Sequence, residues 1–121
     1  MTLTRGRLRP PDSSPGSGED VHRLAGFGNV VIDQILSGRL DGPVDYDQDV
    51  DEWVVVLHGG ATLDVEDDRF HLGAGDWLFL PARTPHRLVE VDPGTSWLTV
   101  TAASPGPGGA LVGDGLLVLD A

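Results

Sequence analysis

The sequence predicts an all-β domain, an antiparallel sandwich or closed barrel, and three observations carry that expectation. Short runs of apolar and β-branched residues recur from Gly28 onward, punctuated by Gly, Pro and Asp, with no convincing helical run between them. A chain of 121 residues holds about one hydrophobic core. Its apolar residues, 40% of the total, concentrate between Val30 and Val100, where a barrel interior can form.

The elements follow in chain order. Residues 1–18 are rich in Arg, Pro, Ser and Gly and almost devoid of apolar side chains, too few to offset the entropy of ordering, so a flexible arm is expected. Ser17 ahead of Glu19, Asp20, Val21 and Leu24 suggests an N-cap and one or two helical turns with acids at the positive end. Within a barrel domain spanning 19–102, strands are expected at 29–36, 44–48, 52–57, 61–65, 70–72, 77–80, 86–91 and 96–101. Asp67 and Asp68 supply a hairpin turn. Residues 81–85, bounded by Pro81 and Pro85, must form a loop, because proline has no N–H to give to a ladder. Residues 103–121 read as a Pro/Gly linker followed by one extra edge strand at 111–119.

The run beginning at Glu52 is apolar on both faces, with Val54 and Val56 on one side and Trp53, Val55 and Leu57 on the other. A single sheet facing water does not look like that. One face can line the barrel. The other needs cover from another sheet, the amino-terminal segment or a second subunit, and a homodimer is the expectation.

Charge and composition narrow the functions. Eight arginines, with no lysine, stand against 19 acids, a formal charge of −11. Such a surface repels phosphate backbones and anionic lipid, so neither nucleic acid nor membrane is an expected partner. The absence of cysteine excludes disulfides, thiolate metal sites and cysteine nucleophiles, and leaves only N and O ligands for any metal. Arg5, Arg7 and Arg9 are followed by no apolar run, so neither signal peptide nor membrane span is read here, and a cytoplasmic location is expected.

Two segments carry the chemistry. Gly75 to His86, Gly-Asp-Trp-Leu-Phe-Leu-Pro-Ala-Arg-Thr-Pro-His, reads as a strand, a tight turn and an imidazole opening the next strand. Upstream, Glu52 opens Glu-Trp-Val-Val-Val-Leu-His-Gly, an apolar strand that begins on a carboxylate and stops at Gly59. The spacing of Glu52 to Gly59, and of Gly75, Pro81 and His86, resembles the paired motifs of the cupin superfamily. Its members are small antiparallel double-stranded β-helix, or jelly-roll, barrels.

Tyr46 and Gln48 stand where the first motif usually has two histidines, Arg83 replaces a motif glycine and Glu90 a motif asparagine. The Tyr-Asp-Gln at 46–48, Asp-Glu-Trp-Val at 51–54 and Leu-Pro-Ala at 80–82 resemble a branch of small bacterial single-domain cupins. That branch commonly has a histidine after Trp-Leu in its last strand, whereas Thr99 follows Trp97 and Leu98 here.

The resemblance implies a cavity holding a small organic ligand and a divalent metal on Gln48, Glu52 and His86, with Tyr46 or Glu90 as further donors. Tyr46 and Gln48, two residues apart, leave one face of a strand together. Such an oxygen-rich set suits Mn²⁺ or Fe²⁺, with Zn²⁺ or Ni²⁺ as alternatives.

Each feature has an ordinary counterpart. His86 taken alone is a hydrogen-bonded or surface histidine, Glu52 a solvated strand end, Gln48 a structural amide and Tyr46 a rim aromatic. A buried Glu52 would need a partner or a raised pKa. His22, His58 and His71 fall in a mobile region, a glycine turn and a solvent-facing position, and are not ligand candidates. Asp45, Asp47, Asp49 and Asp51 imitate a calcium loop, but Val50 and Val56 stand where glycine and glutamate are required. Alternating acids fit the solvated edge of a strand better. No Gly-x-Ser-x-Gly elbow and no phosphate loop occur.

Three functions are compatible with these residues. One is a cupin whose divalent cation polarises a ligand oxygen, in isomerase, cyclase, lyase or oxygenase chemistry. The second is a metal-free enzyme with Glu52, His86 and Tyr46 as general acid and base. The third is a non-catalytic ligand-binding module.

Overall fold

The computed structural model describes residues 2–103. The linker and edge strand expected at 103–121 lie, but for Ala103, outside the described residues. Nine strands form among those described: β1 (Glu19–Phe27), β2 (Val30–Ser37), β3 (Val44–Tyr46), β4 (Val50–His58), β5 (Gly60–Val65), β6 (Asp68–Gly73), β7 (Trp77–Leu80), β8 (His86–Val91) and β9 (Thr95–Ala103). All pairings are antiparallel. They build a five-stranded sheet in the order β1-β2-β9-β4-β7 and a four-stranded sheet in the order β3-β8-β5-β6.

Strand alternation places the core between the two sheets. Val54 and Val56 of β4 point inward and are buried, as are Leu63, Leu72, Leu80, Leu88 and Trp97, while Trp53 and Val55 face outward. The result is an antiparallel jelly-roll barrel. The turn after β4 is steric in origin: Gly59 holds φ at +90°, and a Cβ there would meet Thr95, whose Cα would lie 2.8 Å away.

Two expectations are corrected at the amino terminus. The helix at 19–24 is instead β1, an almost wholly exposed edge strand paired with β2. Gly28 and Asn29 form the two-residue turn between them, with Gly28 at φ 58°. The segment ahead of β1 is also tied down rather than free. Arg9 donates its N–H to Oε1 of Gln34 at 2.9 Å, and its carbonyl accepts from Nε2 at 3.0 Å, so the buried Gln34 amide imitates a neighbouring strand. Gln34 Nε2 also donates to Ser96 Oγ at 3.0 Å. Further along, Ser17 bridges Arg39. Backbone hydrogen bonds, not apolar burial, hold this stretch, and counting apolar residues does not detect them.

A smaller shift occurs at the β5–β6 hairpin, where the turn is Glu66 and Asp67, with Glu66 at φ 55° and Asp68 already in β6.

Candidate functional site

The two sheets face each other across a cavity of about 260 Å³. β4 contributes Glu52 and Val54, β8 contributes His86 and Leu88, and the irregular residue after β3 contributes Gln48. Glu52 belongs to the larger sheet and His86 to the smaller, so the carboxylate and imidazole reach one space from opposite walls. The loop before His86 is fastened to the segment before Glu52. Arg83 N–H donates to the Gln48 carbonyl at 2.6 Å, and Ala82 N–H to Asp51 Oδ1 at 2.8 Å.

His86 is only 9% exposed. Its Nδ1 lies 2.9 Å from the Thr84 carbonyl, which can only accept, so Nδ1 carries the proton and Nε2 is the nitrogen left for a ligand. Tyr46 pairs with His86 across the β3–β8 ladder and stacks on its ring. Burial raises the Glu52 carboxyl above the ordinary glutamate value, while the imidazolium form of His86 and the Gln48 amide act against that rise and Glu19 reinforces it. Tyr46 is pushed up to about 12, first by burial and then by the Glu19 carboxylate, so near neutrality it is a phenol that donates and not a base.

Glu19 was not legible as a lining residue, whereas Thr99 stands where the family branch has its histidine. Thr99, buried, and Glu19, at the exposed rim, both line the cavity. Glu19 was hidden by the helical reading of its segment; the Gly28-Asn29 pair between Phe27 and Val30 is the hairpin signal that reveals β1 and hence Glu19. Trp97 Nε1 donates to Ser37 Oγ at 2.9 Å, and Ser37 Oγ donates to Glu19 Oε2 at 2.9 Å. Tyr46 donates to the other Glu19 oxygen at 3.4 Å. This chain of donors runs along the cavity wall and ends at the ring stacked on His86.

One expected donor is elsewhere. Between β5 and β8 the ladder pairs Leu63 with Leu88 but Thr62 with Glu90, so Val89 is extra, a β-bulge. The bulge reverses the alternation: Val91 packs on the core and Glu90 is exposed. Among the described residues no group of three or more His, Cys, Asp or Glu side chains is arranged to hold a metal ion. The set expected for a divalent cation, Gln48, Glu52 and His86, shares the cavity but supplies one imidazole and one carboxylate, short of a full coordination sphere.

His58 and His71 are exposed, as expected; His71 Nδ1 lies 3.0 Å from Thr62 Oγ1. His22 lies on β1, not in a mobile region. Of the alternating acids, Asp45 pairs with Arg87 at 2.7 Å and Asp47 with Arg83 at 3.2 Å, both on the surface. No helix among the described residues is long and apolar enough to cross a membrane.

Fold and cavity together define a small jelly-roll barrel with polar groups converging inside it. The cupin-domain family matches residues 31–100, more than half of the chain, and the chain belongs to that family. Among solved structures it is similar to a candidate mannose-6-phosphate isomerase from Ralstonia eutropha, at 28% identity and a TM-score of 0.66 over 82% of this chain and 100% of that one. It also resembles KdgF from a Halomonas species, at 17% identity and a TM-score of 0.65, covering 76% of this chain and 84% of that one. An RmlC-like cupin from Shewanella frigidimarina shows the same fold at 18% identity, a TM-score of 0.64 and coverage of 75% and 81%. Among curated proteins no relative matches.

Proposed function

We propose that the barrel binds a small organic molecule and moves a proton on it with Glu52 and His86. The observation that supports this reading is the approach of a carboxyl held above its usual range and an imidazole with Nε2 open, from opposite walls of one cavity. Groups so placed can take a proton at one position of a ligand and return it at another, which is isomerase or lyase chemistry. Tyr46 orients His86 and donates to Glu19; it is not the base. The apolar wall of Ile35, Leu63 and Leu80 lowers the local dielectric and so strengthens each polar contact within the cavity.

A divalent cation on Gln48, Glu52 and His86 is the rival reading. The donor set, one imidazole, one carboxylate and one amide, is a poor fit to it. Elemental analysis of untagged protein separates the two. Near-stoichiometric Mn, Fe, Zn or Ni that is lost in Glu52→Gln supports the rival. To separate enzyme from binding module, compounds that raise the melting temperature are tested for turnover in wild type, Glu52→Gln and His86→Gln. Turnover lost in both variants, with binding kept in His86→Gln, supports the acid–base pair. Binding without turnover in wild type makes the protein a ligand-binding module.

A homodimer is part of the proposal. Trp77 and Phe79 on the edge strand β7 are 57% and 49% exposed, and Trp77 lies against Trp53 with ring centroids 6.0 Å apart. This outer apolar face is what a second subunit would cover.

A further inference from the structure

We infer that the cavity is built for a small organic cation, a protonated amine on a compact apolar body, held by Glu19 and Glu52 rather than for a phosphorylated or carboxylate ligand. The inference rests on reading the cavity as a ligand site and adds the charge class of that ligand. Glu19 and Glu52 both line the space, and no arginine is among its lining residues. The Glu19 oxygens already accept from Ser37 and Tyr46, so the carboxylate is held in place before any ligand arrives.

A second observation is independent of the acids. Thr99, 4% exposed, lines the cavity, and its hydroxyl has no hydrogen-bond partner among the described residues. A buried hydroxyl without a partner costs stability unless something in the cavity completes it, and a polar group on a bound ligand does so. Trp97 supplies an aromatic wall of the kind that favours a cation. The remaining surface, Ile35, Val54, Leu63 and Leu88, is apolar and suits a hydrocarbon body. The volume of about 260 Å³ lies below the range of roughly 300 Å³ upward typical of drug-sized ligands, so the body is compact.

The surroundings point the same way. A shallow groove that also borders Tyr46 and His86 is lined by Asp45, Asp47, Asp64 and Glu66, with Arg87 as its single arginine. Asp45, Asp47 and Asp64 are paired with Arg87, Arg83 and Arg69, so the groove's acidic excess is carried by Glu66. The net charge of −11 on the whole chain favours the approach of cations over that of phosphates.

Three probes of one carbon skeleton test the inference: cyclohexylammonium, cyclohexanol and cyclohexyl phosphate, each titrated into the full chain at 0.1 M salt while the indole N–H of Trp97 and the ring resonances of His86 are followed by NMR. The expected result is ammonium binding at least tenfold tighter than the alcohol, with no saturation by the phosphate. Glu52→Gln and Glu19→Gln, nearly isosteric and checked for fold by circular dichroism, should each bring the ratio toward one. Equal binding of the alcohol, or preferred binding of the phosphate, overturns the cation assignment and leaves the cavity reading intact. Ammonium binding that shifts only surface acids overturns it as well. No cavity response to any of the three overturns both.

Discussion

The phenol ring of Tyr46 lies flat against the imidazole of His86, ring centroids 5.4 Å apart and planes 17° from parallel. The two residues are directly paired across β3 and β8, so the ladder itself sets the stack. With Nδ1 held by the Thr84 carbonyl, the imidazole is fixed in both plane and direction.

That arrangement predicts a split between two Tyr46 variants. Tyr46→Phe keeps the stack and loses only the 3.4 Å bond to Glu19, so it should change stability by less than about 1 kcal/mol and leave ligand binding nearly intact. Tyr46→Ala removes the stack, should cost about 2 kcal/mol or more, and should weaken binding by freeing His86. Chemical denaturation and ligand titration of both proteins check this.

Glu52 predicts a trade of stability against function. Burial raises its folded pKa above the unfolded value, so the folded state binds the extra proton and the contribution of this residue is lost as pH rises through the raised folded pKa. Glu52→Gln should therefore be more stable than wild type at neutral and alkaline pH, with the advantage shrinking toward pH 4, while activity falls by a hundredfold or more. Melting temperature against pH reads the first part and turnover the second.

Arg83 occupies a position where the family motif has glycine, and it adopts a left-handed φ of 60°. That backbone costs roughly 1 kcal/mol for a residue with a Cβ. Its guanidinium gains only an exposed 3.2 Å pair with Asp47, which contributes little. Arg83→Gly should leave stability unchanged or raise it by up to about 1 kcal/mol, with the Gln48 carbonyl bond kept, as denaturant midpoints will show.

Much of this was legible in the residues. Eight of the nine strands stand in runs where β-branched and aromatic residues alternate or crowd between turn residues, and Gly75, Pro81 and His86 marked the loop that carries the imidazole. The rest was hidden for physical reasons. β1 is an exposed edge strand with no buried face to print a period on its sequence, and with it went Glu19. The bulge at Val89 reverses which side Glu90 faces, a shift set by pairing rather than composition. The docking of Arg9 depends on one distant glutamine amide.

The exposed Trp77 and Phe79 predict self-association. Wild type should run as a dimer in light scattering at micromolar concentration, and Trp77→Lys should weaken it by about 2 kcal/mol or more without loss of fold. A monomeric wild type removes the dimer.

The most direct measurement is a pH titration of the Glu52 side-chain carboxyl by ¹³C NMR, in wild type and in His86→Gln. The predicted midpoint lies above the ordinary glutamate value in wild type and moves higher when the imidazole is removed, because the His86 charge now holds it down. An ordinary midpoint that ignores the substitution would mean that these two side chains do not share a cavity, and the proposed chemistry would go with it.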